Sequence, residues 1–225
     1  MDEAPETDAI IIGAGPAGLF AAFQLGLYGL RCLLIDALDQ PGGQCRALYA
    51  DKPVYDVPGL ARIEAGALVE QMLTQIQPFS PRFLFGQKVV SIRKDGPQVS
   101  IVTTSGGDTL RGKVVVIAAG GGAFRAGAAE QDGFALDPVP FQSWGLEAVD
   151  GATPVDGATM ATVIPGIFAI GDACRYAGKL KLILSGCHEA ALMGQAIRKM
   201  MKPDGRAPLY TSASATLRRR LGVKE

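Results

Sequence analysis

Residues 8–36 read DAIIIGAGPAGLFAAFQLGLYGLRCLLID. A short apolar run at 9–12 leads into Gly13, Gly15 and Gly18 in G-x-G-x-x-G spacing. A helical stretch of small and apolar residues follows, then a second apolar run at 33–35 that closes on Asp36. Strand, tight turn, helix, strand and terminal acid, in that order, form a dinucleotide-binding unit. Gly13 permits the sharp turn, Gly15 lets a pyrophosphate approach the main chain, and Gly18 lets the helix lie close on the strand. The helix starts near Pro16, so its positive end faces the phosphate site. Asp36 is placed to accept hydrogen bonds from a ribose diol.

Residues 9–30 carry no charge and are long enough to cross a bilayer. Against a span stand the glycines and Pro16 that punctuate the run where a turn is wanted, and the lack of basic residues at its start. The chain of 225 residues is 48% hydrophobic, enough for one large domain or two small ones. Lys and Arg number 22 and Asp and Glu number 22, so no net field draws nucleic acid or a membrane surface. Neither is expected as a partner. Cys32, Cys45, Cys174 and Cys187 contain no C-x-x-C pair and no metal-ligand spacing, so they read as reduced structural thiols and no metal is expected. The acidic start MDEAPETD is unlike a signal peptide, which implies a cytoplasmic protein.

Beyond Asp36 the order of elements follows from period and punctuation. PGGQ at 41–44 is a turn whose paired glycines bring main chain against a ligand, and the aromatic, proline-broken segment 47–58 is an extended loop. Leu68, Met72, Leu73 and Ile76 recur at helical spacing within 64–77. From Arg82 the segments RFLFG, KVVSIRKDG, QVSIVTTSGG and DTLRG suggest a small antiparallel meander inserted in a doubly wound sheet. The run KVVVIAA at 113–119 predicts a separate buried parallel strand that opens into Gly120. Residues 125–133, RAGAAEQDG, have no apolar period and read as a linker. GIFAIG at 166–171 is a second buried strand ended by Asp172, and a helix is predicted over 184–201, with basic residues at its end. His188, early in that helix, is expected to pack or cap rather than to act as acid or base. No other segment repeats the glycine pattern between a strand and a helix, so one nucleotide is expected to bind.

GAGPAG at 13–18, PGGQ at 41–44, ALY at 47–49, YDVPG at 55–59, AAGGGAF at 118–124, GIFAIGD at 166–172 and YAGKLKLILSGCHEAALM at 176–193 together carry a resemblance. The chain resembles the FAD domain of ferredoxin–NADP reductases of the thioredoxin-reductase-like type. YTSASATLRRRLGV at 210–223 is similar to the C-terminal extension of the alphaproteobacterial members. Thioredoxin reductase itself is disfavoured by the missing C-x-x-C. The resemblance implies a Rossmann-like α/β fold and FAD as cofactor, with its pyrophosphate at Gly13, Gly15, Pro16, Ala17 and Gly18 and its adenosine ribose on Asp36. It implies that Gly43 and Gln44 meet the cofactor, Val89 or Val90 the adenine side, and Gly120 and Phe124 the neighbourhood of the flavin. Gly171 and Asp172 would take the ribityl chain, and the helix near Ser185 the pyrimidine edge of the ring. Tyr49 would stack on one flavin face and Tyr210 would cover the other, with Thr211 or Ser212 supplying a hydroxyl.

In that family an NADPH-binding domain with its own glycine motif is inserted between the GGGAF strand and the GIFAIGD lobe, and here RAGAAEQDG stands in its place. The chain therefore reads as a single FAD domain of two lobes, 1–124 and 134–225, joined by 125–133, either a natural short form or an engineered deletion. The expectation is electron exchange between flavin and a ferredoxin or flavodoxin, with NADPH oxidation impaired or lost. The alternative is a minimal FAD-binding scaffold without native catalysis. The resemblance also implies a homodimer, part of whose contact surface would belong to the absent domain. Lys179, Lys181 and the run Arg218, Arg219, Arg220 offer a basic landing site for an acidic ferredoxin, against the plainer reading of solvated charges.

Overall fold

The computed structural model describes residues 7–96, 100–130, 133–203 and 214–222. In chain order its elements are β1 (Thr7–Ile12), α1 (Pro16–Leu27), β2 (Cys32–Ile35), α2 (Gly43–Ala47), β3 (Pro53–Val54), β4 (Ile63–Glu64), α3 (Ala65–Ile76) and β5 (Arg82–Leu84). There follow β6 (Val89–Lys94), β7 (Ser100–Thr104), β8 (Thr109–Ile117), β9 (Ala123–Glu130), β10 (Gly133–Asp137), β11 (Thr153–Pro154) and β12 (Ile167–Ala169). The chain closes with β13 (Cys174–Arg175), α4 (Ile183–Met201) and α5 (Ala215–Arg220).

The central sheet runs β5-β2-β1-β8-β7-β6, and β12 also pairs with β8. One edge of β8 lies parallel to β1, from Thr7↔Gly112 to Ile12↔Ile117. Its other edge changes partner along its length: residues 109–112 pair antiparallel with β7, and residues 115–117 pair parallel with β12. The parallel strands β5, β2, β1, β8 and β12 thus end together, and a doubly wound sheet places its ligand at those carboxyl ends.

Alternation along these strands sorts the core into two faces. Ile11, Leu34, Val114, Val116 and Phe168 pack with Leu19, Leu25, Val69, Met72, Met193 and Ile197 of the helices. Ile10, Ile12, Leu33, Ile35, Val115 and Ile117 pack on the opposite face with Ile92, Val102, Phe141, Trp144 and Leu146. The uncharged run 9–30 is therefore one buried strand and the buried 12-residue helix α1. Among the described residues no helix is long and apolar enough to cross a membrane.

Several local expectations change. DTLRG and KVVVIAA form one strand, β8, because Gly112 is not a turn: a Cβ there would come within 2.9 Å of Ile10 Cγ1, so glycine makes room for a neighbour in the sheet. RFL is not part of the meander; β5 pairs parallel with β2, Leu33↔Arg82 to Ile35↔Leu84. Residues 125–133, read as a linker, lie largely on β9 and β10, which pair antiparallel from Gly133↔Glu130 to Asp137↔Ala123 with one irregularity. An alanine- and glycine-rich strand shows no apolar period, so the main-chain pairing is invisible in the sequence. The PGGQ turn passes directly into α2, with Gly42 at φ +123° and Gly43 at φ +53°. His188 is exposed on α4 rather than packed.

Candidate functional site

The carboxyl ends of β1, β2 and β8 and the 3₁₀ turn Gly171–Ala173 after β12 open into a cavity of about 520 Å³. Gly13 makes the turn after β1 at φ +106°, and a Cβ on it would lie 2.3 Å from the Ala118 carbonyl oxygen. Gly15 faces Gly43 across the cavity floor, its hypothetical Cβ 3.8 Å from Gly43 Cα, so two main-chain turns meet with no side chain between them. Gly18 does not line the cavity; a Cβ there would fall 2.0 Å from the Gly13 oxygen, and its absence lets α1 sit on the turn.

Two helix amino termini meet the cavity. Pro16 and Ala17 line it at the start of α1, and Leu182, Ile183 and Gly186 line it at the start of α4. Neither start has a side-chain cap, so first-turn amides are left for an external acceptor. Ala17 holds the two ends close, because a Cβ on Gly171 or Gly186 would lie 3.1 or 3.2 Å from its methyl group. Two positive helix ends in one cleft favour an anionic, oxygen-rich ligand.

Asp36 lines the cavity and is fastened from both sides. Ala14 N donates to Oδ2 at 2.6 Å and Leu38 N donates to Oδ1 at 2.9 Å. Burial pushes its carboxyl up, against the pull of the amides of Ala14, Leu38 and Ala37. Tyr49 is reached through α2: Cys45, one turn earlier, places Sγ 3.4 Å from the Tyr49 hydroxyl, and both line the cavity. Burial raises the Tyr49 phenol and the Cys45 thiol, so both are neutral at physiological pH.

Of the other sequence-predicted residues, Gln44, Val89, Val90, Gly120, Gly171 and Asp172 line the cavity. Ser185 does not; on α4 its neighbours Ile183 and Gly186 take the lining positions, which helical spacing from Leu182 would have indicated. Phe124 lies on β9, and its side chain is outside the described set. Tyr210, Thr211 and Ser212 lie outside the described residues. The sequence reading missed Gln87, Lys88, Asp137, Pro138, Val139 and Trp144, which wall the end near Val89 and Val90, and Lys181 at the opposite end. Lys88 pairs with Asp137 at 2.6 Å across two segments far apart in sequence, a contact without a local signal.

These surfaces fit FAD. The glycine floor and the two uncapped helix ends suit a pyrophosphate and the oxygen edge of a flavin, Asp36 suits a ribose, and the apolar wall with Tyr49 suits a flat ring. Comparison with known proteins agrees. Residues 7–140 match the family described as pyridine nucleotide-disulphide oxidoreductase. The ferredoxin–NADP reductase of Mesorhizobium japonicum is 32% identical over 335 aligned positions, covering 96% of this chain and 98% of that protein. That of Rhodopseudomonas palustris is 32% identical over 341 positions, with 99% and 100% covered. Both alignments are far longer than the 225 residues of this chain, so these relatives carry a long stretch with no counterpart here. Among solved structures, thioredoxin reductase from Streptococcus pyogenes superposes with TM-score 0.72 at 17% identity, over 89% of this chain and all of that one. Thioredoxin reductase from Gloeobacter violaceus gives 0.72 at 16% identity, over 93% and 100%. The fold, the cavity and these matches together place the chain in the pyridine nucleotide-disulphide oxidoreductase family, among the ferredoxin–NADP reductases, with FAD as its cofactor.

Proposed function

We propose that the chain is the electron-transfer half of a ferredoxin–NADP reductase: a single two-lobed FAD domain that exchanges electrons with a ferredoxin or flavodoxin and has lost efficient NADPH oxidation. One observation carries this reading. A cavity whose lining fits FAD is built from residues between Ile12 and Gly186, while the relatives' alignment runs across a long stretch that the chain lacks. We take that stretch to be the NADPH-binding domain, because the chain has one strand-flanked G-x-G-x-x-G and its first lobe already uses it.

In this reading Gly13, Gly15, Pro16, Ala17 and Gly43 cradle the pyrophosphate. Asp36 accepts from the adenosine ribose, and Val89 and Val90 border the adenine. Tyr49 covers one face of the isoalloxazine, its hydroxyl restrained by Cys45. Gly171 and Asp172 hold the ribityl chain, and the amides at the start of α4 face the pyrimidine edge. Tyr210, with Thr211 or Ser212, is assigned to the second face. Bound FAD supplies the exchange between two-electron and one-electron donors. Hydride transfer from NADPH needs the nicotinamide held against the flavin, and that positioning is worth several kcal/mol of barrier.

The test is the anaerobic visible spectrum of the FAD-loaded protein during titration with NADPH, then dithionite, then separately with reduced ferredoxin. The flavin band should bleach with dithionite and with reduced ferredoxin, and with NADPH at least ~10³-fold more slowly than in a full-length relative. Prompt bleaching by NADPH would show that a nicotinamide site survives. The pairing of β9 with β10, which closes the chain where the extra domain is expected, favours as second reading a minimal flavin scaffold, natural or engineered. Dithionite bleaching without any response to reduced ferredoxin selects that reading.

A further inference from the structure

Behind the Asp172 end of the cavity lies a buried polar cluster that no step above uses. Glu189, on α4, is fully buried, and its two carboxylate oxygens serve different segments. Oε2 accepts from Gly171 N at 2.7 Å and from Cys174 Sγ at 3.5 Å. Oε1 accepts from Tyr176 OH at 2.9 Å and from Lys179 Nζ at 2.6 Å. The Lys179 side chain is itself only 8% exposed, so this is an ion pair removed from water. Such a pair adds little net stability over a well-packed apolar pair of the same size, while removal of one partner leaves a charge stranded.

Its position gives it a use. The donors Gly171 and Lys179 bracket the segment 171–179, and the cavity-lining charges of this end follow directly: Asp172 after Gly171, and Lys181 two residues after Lys179. Gly171 stands at φ +64° between α1 and α4, so its amide direction decides how the next residue enters the cavity. Glu189 also sits one turn beyond Gly186, on the helix whose amino end opens into the same cavity. A single carboxylate therefore ties together the turn that presents Asp172, the loop that leads to Lys181, and helix α4.

We propose that Glu189, paired with Lys179 at 2.6 Å, is a positioning residue for FAD: it fixes the Gly171 turn so that Asp172 meets the cofactor. This rests on the FAD assignment above. The decisive comparison is between two double variants that both remove the buried charges, Glu189→Gln/Lys179→Met, which keeps an acceptor for the Gly171 amide, and Glu189→Leu/Lys179→Met, which does not. FAD dissociation constants, the visible spectrum of the bound flavin and the melting of the FAD-free proteins are measured for each. The glutamine double should bind FAD within about threefold of the parent. The leucine double should bind at least tenfold more weakly, with an altered flavin band, and its FAD-free form should melt lower than the glutamine double because the Gly171 amide and the Tyr176 hydroxyl lose their acceptor. Equal affinity and identical spectra for the two doubles would overturn the proposal. Where the leucine double does not fold, Glu189→Asp replaces it: the charge stays but the carboxylate withdraws by one methylene. A tenfold loss of FAD affinity is then expected, and parent-like affinity and spectrum would overturn the proposal. A parent chain that binds no FAD would overturn the cofactor assignment and this one with it.

Discussion

At the scale of single residues, the three glycines of the opening motif do different work, and substitution separates them. Gly13 is at φ +106° with main-chain atoms of Ala118 2.3 and 2.7 Å from any Cβ, so Gly13→Ala should destabilise the FAD-free protein by about 3 kcal/mol. Gly15 has an ordinary φ of −73° and nothing nearer than 3.8 Å, so Gly15→Ala should leave FAD-free melting within about 0.5 kcal/mol. The same methyl group stands in the cavity floor and should weaken FAD at least tenfold; melting and FAD titration of both variants check the contrast. Asp8 offers a pH test. Burial pushes its carboxyl up, but hydrogen bonds from Lys113 Nζ and from the Arg31 amide and guanidinium outweigh this and hold it at about 2. A carboxyl depressed from 3.8 to about 2 contributes stability that is complete above pH 3.8 and is lost as pH falls towards 2. Lys113 and Arg31 are largely exposed, so we expect Asp8→Asn to cost about 1–2 kcal/mol at pH 7. Urea titrations should show that difference closing as pH approaches 2. What was legible at this scale was main-chain chemistry: the glycine spacing and the acid at the strand end identified the cavity floor. Trp144, Asp137 and Glu189 were not legible, because their partners lie across the fold and no local pattern announces a cavity wall or a buried ion pair.

At the scale of elements, period revealed the helices and the buried strands, and failed where a glycine or an alanine had a packing reason. Gly112 reads as a turn in one dimension, yet it lies mid-strand under the Ile10 side chain. The three-residue strand β5 carries the same residues that an antiparallel meander would, and only its pairing with β2 assigns it to the parallel sheet. Ser214 caps α5 by accepting from Leu217 N at 3.3 Å, so the basic run belongs to a short helix on which Arg219 is exposed and Arg218 and Arg220 are half-buried. Of the basic residues expected to form a landing site, Arg219 and Lys181 are exposed, whereas Lys179 is committed to Glu189. The contact between α1 and α4 is set by small residues, and it governs the cavity because both helices open into it. A Cβ on Gly194 would lie 3.3 Å from Gln24 Cβ and 3.4 Å from Tyr28 Cε2. Gly194→Ala asks those side chains for a few tenths of an ångström and should change stability by less than about 1 kcal/mol. Gly194→Leu should lever the helices apart, costing about 2–3 kcal/mol and weakening FAD binding, read by melting and FAD titration.

At the scale of the whole molecule, the cavity is shared between the two ends of the chain. Gly13, Asp36 and Gln44 contribute from residues 13–44, and Gly171, Asp172 and Gly186 from residues 171–186, so a ligand there bridges segments more than 120 residues apart in sequence. The return of β12 onto β8, from Ile167↔Val115 to Ala169↔Ile117, is three residues long, and it is the parallel pairing that brings the later part of the chain into the sheet. A short pairing reinforced by a ligand should make stability depend strongly on that ligand. Mass action gives a ligand at a hundred times its dissociation constant about 2.7 kcal/mol of stabilisation. For a chain of this length each kcal/mol moves the melting temperature by about 2–4 °C. FAD at that ratio should therefore raise the melting temperature by roughly 5–10 °C, whereas FMN at the same concentration, lacking the adenosine that Asp36 and the Val89–Val90 end would hold, should raise it by much less. An equal rise with both flavins would mean that Asp36 and the Val89–Val90 end contribute nothing to binding, and the assignment of the adenosine to that end would fail with it.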